Sequence, residues 1–315
     1  MYYLDHAEVR LLSQDLLPRV RLNPPDERLR GWNWSQSPVK PYTRDIPLSV
    51  WEVAARTCPT NRDVWLRRKL LRKNMPSSLV MVKGVVIHRV VQALFKEARR
   101  SIYLGQLSDL RERLVEKGRA VTEDELGSFS RQVDTGQLAD ELRALSSEVS
   151  KYIATVIESH LLEARSKYPY IDEDSLASLV FPFAIELPID GSLLGLSPNL
   201  RADASWIFGG LVYDIKTGER QWWHRLQIAG YALAIESFYE RPVDIGAVIY
   251  VNYSSRTGGL RIEKDFFIVS DDLRSRFLEY RDELQMMLAG NKEPPVAEAC
   301  PRWCLFREHC LGVGE

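Results

Sequence analysis

The chain has few cysteines, almost no net charge and no long hydrophobic run. Only four of its 315 residues are cysteine, and 42 Lys and Arg nearly balance 43 Asp and Glu. Four cysteines exclude a disulfide-dense secreted module, and a hydrophobic content of 45% excludes a disordered chain. The balanced charge gives no global signal for a nucleic-acid partner. We expect one large globular domain, or one domain with an appendage.

Targeting signals are also missing from the sequence. The N-terminal sequence has no basic segment followed by an apolar segment, which argues against a signal peptide, and no run of apolar residues is long enough to span a bilayer. We therefore expect a cytoplasmic protein without a membrane partner. In a reducing compartment, cysteines hold a metal or a cluster more often than they form disulfides.

The hydrophobic pattern changes from a helical period to a strand period along the chain, and this predicts an α/β fold. A helix should begin near Ser49, where Ser-Val-Trp-Glu matches a capping box, and end before Cys58. Further helices are predicted over 61–73, 83–104, within 107–167, and over 220–239 and 271–289. Strands of a mixed sheet are predicted within 180–189, 199–208, 211–218, 243–253 and 260–269. The predicted regions are an N-terminal arm with little periodicity (1–48), a helical region (49–178), a sheet core (179–292) and a cysteine tail (293–315).

A predicted hairpin brings two acidic residues and a lysine together. If Gly209-Gly210 is a two-residue turn, Asp203 lies directly opposite Lys216, and Asp214 shares the face of Lys216. Two such carboxylates can share a divalent ion, and the lysine can orient water or stabilise charge on a phosphate. The alternative is a surface Asp–Lys pair worth about 0.2–1 kcal/mol.

These residues resemble the core of the PD-(D/E)-x-K nucleases, in their RecB-like branch. Asp203 matches the metal-binding acid of the second strand, and Asp214-Ile-Lys216 matches the acid-x-Lys motif. The resemblance implies a restriction-endonuclease-like mixed sheet and a site for Mg²⁺ or Mn²⁺. It also implies that Lys216 assists catalysis.

Motifs on the neighbouring segments extend the resemblance. Gln227 and Tyr231 match Q-x-x-x-Y, whose two side chains share one helix face and would position the substrate. Gly84 and His88 match G-x-x-x-H, whose histidine is a further metal ligand in that branch. Glu186, on the strand before Asp203, is a weaker candidate ligand. Taken singly, His88 and Tyr231 are also compatible with ordinary helix packing.

The cysteines are split between the two ends of the chain. Cys58 is separated from Cys300, Cys304 and Cys310, which form a C-x3-C-x5-C pattern. Four thiolates can bind zinc or an iron–sulfur cluster, and neither the zinc-finger spacing nor the ferredoxin spacing fits. Spacing alone leaves zinc and a cluster open, and two disulfides remain the third alternative.

One cysteine before a RecB-like core and three after it resemble the iron–sulfur nucleases, in particular the CRISPR-associated Cas-four type exonucleases. The long helical stretch and the extra arm resemble the larger archaeal Csa-one subtype. The resemblance implies a [4Fe-4S] cluster in a collar around the nuclease core. It also implies a single-stranded DNA exonuclease that acts in spacer acquisition, with a CRISPR integrase and other adaptation proteins as partners. The alternative is a non-catalytic DNA-binding scaffold of the adaptation complex.

A basic segment and a pair of tryptophans are candidates for DNA contacts. The basic side chains can neutralise phosphates, and the indole rings can stack on unpaired bases. The alternative for the basic segment is a solvated helix face, and the alternative for the tryptophans is packing in the core. The residues are Arg67, Arg68, Lys69, Arg72, Lys73, Trp222 and Trp223.

Overall fold

A five-stranded mixed sheet forms the centre of the protein. The structure is a computed structural model that describes residues 1–69, 79–129, 136–206, 209–254, 258–300 and 304–312. The strands lie in chain order across the sheet; β3 and β4 are parallel, and the other pairs are antiparallel. They are β1 (Ala184–Ile189), β2 (Leu200–Trp206), β3 (Leu211–Lys216), β4 (Ile245–Ser254) and β5 (Gly259–Ile268). All five predicted strands and the α/β class are thereby confirmed.

Helices pack on both faces of the sheet. None of the described helices combines the length and the apolar character that a membrane span requires. The helices are α1 (His6–Leu11), α2 (Leu17–Leu22), α3 (Val50–Ala54), α4 (Arg62–Lys69), α5 (Leu79–Tyr103), α6 (Leu110–Phe129), α7 (Gly136–Lys167), α8 (Glu173–Val180), α9 (Trp223–Tyr239), α10 (Asp271–Ala289) and α11 (Arg307–Leu311). The predicted helices near Ser49 and over 83–104, 107–167, 220–239 and 271–289 are confirmed, and the capping box of Ser49 and Glu52 is formed.

Alternation along β3 divides the apolar core into two layers. Tyr213 and Ile215 point toward a layer that includes α5, α6, α7 and α8, whereas Val212 points toward a layer that includes α3, α9 and α10. Each fully buried aliphatic or aromatic side chain contributes about 1.5–3 kcal/mol, so both helical layers are fixed to the sheet by many such contacts. The last residues of β3 therefore lie between α5 on one side and α9 on the other.

The helices α6 and α7 approach each other closely where a side chain is missing. A Cβ atom at Gly118 would lie 2.0 Å from Ser150 Oγ, so glycine is required at this crossing. The neighbouring contacts are apolar and include the buried Leu114 and Leu145. This close packing makes α5, α6 and α7 a firm support for the residues that α5 directs toward the sheet.

The N-terminal 48 residues contain helices that the sequence pattern does not predict. α1 continues through a π-helical turn (Leu12–Leu16) into α2. Pro18 lies inside this continuous segment, where proline cannot donate the usual helical hydrogen bond, and the widened turn accommodates it. Tyr2 is almost fully buried, with its ring 5.5 Å from that of Phe95 and 5.6 Å from that of Tyr213.

A buried ion-pair network connects the same N-terminal segment to α9 and α10. Glu236 is fully buried and pairs with Arg30 at 2.8 Å and Arg274 at 2.7 Å. It also accepts a hydrogen bond from the backbone N–H of Gly31 at 2.9 Å. Because a buried carboxylate without these partners is very costly, the network fixes the path of the segment over the sheet.

The predicted register of the β2–β3 hairpin is wrong by two residues. Trp206 is opposite Leu211 and Ala204 is opposite Tyr213, so four residues separate the last pair of the hairpin, where the prediction had only the two glycines. Gly210 has a positive φ of 62°, which explains one glycine of the pair. Continuing the register by one residue makes Asp214, and not Lys216, the residue opposite Asp203.

Candidate active site at the end of the central strands

Asp203 and Asp214 meet where the hydrogen bonding between β2 and β3 ends. The last pair of that ladder is Ala204 and Tyr213, and beyond it the carboxylate of Asp203 accepts a hydrogen bond from the Ile215 N–H at 2.6 Å. The side chain thus takes the place of a strand–strand hydrogen bond and leaves both carboxylates at the end of the sheet.

His88 reaches this point from α5. Its Nδ1 lies 3.2 Å from Asp203 Oδ1, and its Nε2 lies 3.0 Å from the carbonyl oxygen of Ile215. Burial alone would lower the pKa of His88, but the charge and hydrogen bond of Asp203 outweigh it and raise the pKa to about 9. The resulting imidazolium, together with the Ile215 N–H, overcomes the effect of burial on Asp203 and holds the pKa of that carboxyl below its usual value.

Lys216, Asp214 and Gln227 form a second connected group. Lys216 Nζ lies 2.7 Å from Asp214 Oδ2 and donates to Gln227 Oε1 at 3.0 Å. Gln227 Nε2 donates back to Asp214 Oδ1 over a longer distance of 3.3 Å. Burial, followed by the charge of Asp203, raises the pKa of Asp214 despite the nearby ammonium.

Tyr231 lies one helical turn after Gln227 on α9 and faces the same carboxylates. A hydrogen bond joins the side chains of the two residues, as expected for positions i and i+4. Burial raises the pKa of Tyr231, and the charges of Asp214 and Asp203 raise it further. The phenol therefore remains protonated and available as a hydrogen-bond donor.

Glu186 belongs to the same group through an unusual backbone conformation. It lies between Ile185, which is opposite Ala204, and Leu187, which is opposite Ala202. Its φ is 50°, a left-handed conformation that costs a non-glycine residue about 1–2 kcal/mol. Burial raises the pKa of Glu186, as does the charge of Asp203. The strained strand thus holds a third carboxylate facing Asp203.

Both aspartates are engaged by protein partners in this conformation. Asp203 is bonded to His88 and Ile215, and Asp214 is bonded to Lys216 and Gln227. Accordingly, within the described ranges no set of three or more His, Cys, Asp or Glu side chains is arranged to hold a metal ion. A cation would have to replace some of these contacts.

The basic segment on α4 is largely occupied by internal contacts. The guanidinium of Arg67 lies 4.9 Å from the ring centroid of Trp51 and 5.8 Å from that of Phe306. Arg68 pairs with Glu52 at 2.7 Å. Lys69 is exposed, and the predicted contacts at Arg72 and Lys73 lie outside the described residues.

The two tryptophans differ in their surroundings. Trp222 is 56% exposed just before α9, so its ring is open to a base. Trp223 is partly buried, with its ring centroid 5.8 Å from Lys216 Nζ and 4.3 Å from the His224 ring. Trp223 therefore forms part of the wall beside the lysine.

The tail with three cysteines lies against the segment that contains Cys58. All four cysteines are free, partly buried thiols. A hydrogen bond joins the side chains of Cys300 and Cys304, and burial raises the pKa of Cys304 to about 11, with a contribution from the charge of Asp63. Asp63 also accepts a hydrogen bond from Thr57, next to Cys58, at 2.6 Å. Both ends of the chain therefore meet at Asp63.

Sequence reasoning missed a supporting pair behind Lys216. Tyr250 is directly opposite Lys216 in the β3–β4 register, and its hydroxyl lies 3.1 Å from Nδ1 of the buried His224. Burial and the charge of Lys216 lower the pKa of His224 to about 3, so the ring is neutral. A tyrosine within an apolar strand is the one hint of this pair in the sequence. Only the structure shows that Tyr250 is aligned with Lys216 and reaches His224.

Comparison with known proteins identifies the family. The family described as CRISPR-associated exonuclease Csa1 matches residues 1–313 of this chain. A protein of that name from Saccharolobus solfataricus is 34% identical over 311 residues, which cover 98% of this chain and 99% of that protein. Another of that name, from Thermoproteus tenax, is 27% identical over 282 residues, which cover 90% of each chain. This chain therefore belongs to the CRISPR-associated exonuclease Csa1 family.

Proposed function

We propose that this protein is a divalent-metal-dependent exonuclease that cleaves single-stranded DNA during CRISPR spacer acquisition. The observation that carries the proposal is the convergence of His88, Asp203, Asp214, Lys216 and Gln227 at one end of the sheet. Family membership supports a nuclease role in CRISPR, because the relatives are named exonucleases. The single-strand preference, the adaptation step and an integrase partner come from the resemblance described above.

The acidic group suits a divalent cation in its chemistry. Carboxylate oxygens are the ligands that Mg²⁺ and Mn²⁺ prefer, and His88 would join them only after it loses a proton and one of its present contacts. Asp214 Oδ2 is buried and has Lys216 as an ion-pair partner, but no donor lies in hydrogen-bonding geometry to it. Asp203, Asp214 and His88 would hold the ion, with Glu186 as a further ligand. When bound, the ion supplies positive charge and lowers the pKa of its water.

The protein's own residues supply the remaining functions. Lys216 lies where its ammonium can orient the attacking water and stabilise negative charge on the phosphate. Gln227 holds the lysine against Asp214 through its amide oxygen. Tyr231, protonated beside the carboxylates, can donate to a phosphate oxygen of the substrate.

The strand arrangement supports a restriction-endonuclease-like core. In this proposal β1, β2 and β3 carry the acidic residues, and α9 connects the parallel strands β3 and β4 while presenting Gln227 and Tyr231. The acids, the lysine and the helical motif thus come from one continuous segment, 184–231. His88 is the exception, because it is contributed from the helical layer by α5.

We further propose that Cys58, Cys300, Cys304 and Cys310 bind a [4Fe-4S] cluster, with zinc as the less favoured occupant. Four free, partly buried thiols on two segments that approach Asp63 support this proposal, and these thiols would have to move closer together to share a cluster. Thiolates are ligands for both groups. Such a site would join the N-terminal helices to the tail as a collar. A brown protein whose absorption near 400 nm bleaches on reduction supports the cluster, and a colourless protein with one zinc contradicts it.

A nuclease assay tests the proposed function directly. Labelled single-stranded DNA is incubated with the purified protein in Mn²⁺, Mg²⁺ or EDTA. We expect metal-dependent cleavage that Asp214→Ala abolishes and that Asp124→Ala, at an exposed position on α6, preserves. If the wild type binds DNA but does not cleave it with either metal, the protein is the non-catalytic scaffold instead.

A further inference from the structure

Two exposed cations beside the acidic site make no direct ion pair within the described part of the chain. Many surface cations are paired, as Arg220 is with Glu263 and Arg225 is with Asp265. Lys96 on α5 and Arg201 on β2 are exposed, and no ion pair or side-chain hydrogen bond is found for either among the described residues. Their charges are therefore free to act on a ligand.

The course of α5 places Lys96 beside the first strand. Lys96 follows His88 by eight residues, or about 12 Å along the helix axis. There the helix contacts the segment that leads into β1, because Arg99 donates to the carbonyl of Phe183 and its guanidinium lies 5.4 Å from the Phe181 ring. Lys96 thus marks the side of the site that Glu186 occupies.

Arg201 approaches Glu186 from the second strand. It is opposite Pro188 of β1 and precedes Asp203 by two residues. Because Arg201 is opposite Pro188, it lies two positions along β2 from the residue that faces Glu186, and the charges of both Arg201 and Lys96 lower the pKa of Glu186 against the stronger effects of burial and of Asp203. Glu186 therefore has one cation on the helix side and another on the sheet side.

The two cations reduce the electrostatic repulsion that a nucleic-acid strand would meet at Glu186. A strand whose scissile phosphate lies at Asp203, Asp214 and Lys216 passes Glu186 if it continues along β1. Glu186 would repel a passing phosphate, and nearby cations offset that repulsion. The exposed lysine and arginine can also adjust to a flexible single strand without any cost of burial.

We infer that Lys96 and Arg201 bind backbone phosphates of the substrate strand next to the scissile phosphate, on the Glu186 side. The inference rests on the proposed nuclease function and defines the substrate as a strand with further phosphodiesters beyond the cleaved one. Trp223, whose ring centroid lies 5.8 Å from Lys216 Nζ, borders the scissile phosphate instead. A strand that ends at the scissile phosphate on the Glu186 side loses these contacts and is a poorer substrate.

The test combines charge removal in the protein with charge removal in the DNA. Lys96→Gln, Arg201→Gln and the double variant are compared with Lys117→Gln on α6 and Arg21→Gln on α2, which are exposed matched controls. The substrates are oligonucleotides in which one phosphate at a time is replaced by a neutral methylphosphonate. KM, kcat and the salt dependence of DNA affinity are measured for each pair.

We expect the Lys96 and Arg201 variants to raise KM without changing kcat, and we expect the two control variants to change neither constant. The slope of log affinity against log salt should become less negative by about 0.7 for each lost phosphate contact. In the wild type, neutral linkages at one or two positions beside the cleaved bond should raise KM. That increase should disappear in the double variant, because the contact has already been lost.

The outcomes separate this inference from the function on which it rests. If the wild type cleaves DNA and the double variant keeps its KM, salt slope and sensitivity to neutral linkages, the phosphate contacts are refuted and the nuclease remains. If the wild type neither binds nor cleaves single-stranded DNA, the proposed function fails and this inference fails with it.

Discussion

Replacing Lys216 with methionine should remove most of the catalytic power and leave DNA binding almost intact. The ammonium lies 2.7 Å from Asp214 Oδ2 and 3.0 Å from Gln227 Oε1, at the end of β3. Methionine keeps the aliphatic stem beside Trp223 and removes only the charged donor. The variant therefore isolates the electrostatic contribution of one group.

The size of the effect follows from the position of the charge. Loss of one donor aimed at charge that develops in the transition state costs about 2.7–4 kcal/mol, or about 10²–10³ in kcat. Ground-state binding depends on phosphates along the whole strand and should change little. Folding stability should fall by about 1–3 kcal/mol, because buried Asp214 loses its partner.

Single-turnover cleavage of labelled single-stranded DNA in Mn²⁺ measures the chemical step, and fluorescence anisotropy measures affinity. Lys117→Met, at an exposed position on α6, is the matched control and should behave like the wild type. A Lys216→Met variant that is folded, binds DNA and cleaves within about threefold of the wild-type rate would refute the catalytic role of the lysine, since that change is far below the loss expected for such a donor.

Other predictions concern stability. Glu236→Gln should lower the free energy of unfolding in urea by about 3–5 kcal/mol, because buried arginines lose their charged partner. Glu240→Gln, at the exposed end of the same helix, should lower it by less than about 0.5 kcal/mol. Equal losses in the two variants would contradict the network. Gly118→Ala should destabilise by about 1–3 kcal/mol through overpacking, and Gly127→Ala, where a Cβ meets no atom within 4 Å, should stabilise by about 0.5–1 kcal/mol. His224 titrates near 6.5 when unfolded and near 3 when folded. Between these values only the unfolded state binds the proton. The free energy of unfolding of the wild type should therefore fall by about 2 kcal/mol more than that of His224→Gln between pH 8 and pH 5. If the free energies of unfolding of the two proteins change in parallel with pH, this linkage is excluded.

The hairpin shows why the sequence located the candidate site but not its contacts. Apolar alternation placed both strands correctly, yet the Gly-Gly pair predicted a shorter loop than the one that forms. The resulting error of two residues preserves the face of every side chain, because strand periodicity is two. Asp203, Asp214 and Lys216 therefore still converge, although Asp203 is aligned with the aspartate and not with the lysine.

Long-range contacts explain the remaining differences. The basic pattern of α4 predicted phosphate contacts, but Arg67 packs on aromatic rings and Arg68 pairs with Glu52. The strained φ of Glu186 and the pairing of His224 with Tyr250 have no local sequence signal. Such features depend on which elements meet in space, and a single sequence without its fold does not specify this.

Binding of Mn²⁺ followed by electron paramagnetic resonance tests the central claim most directly, namely that His88, Asp203 and Asp214 form one divalent-cation site. The titration compares the wild type with Asp203→Asn, which keeps the shape of the side chain and removes its charge. We expect a bound ion in the wild type, and we expect Asp203→Asn to weaken its binding at least tenfold, by about 1.4 kcal/mol or more. Equal stoichiometry and affinity in the two proteins would contradict it.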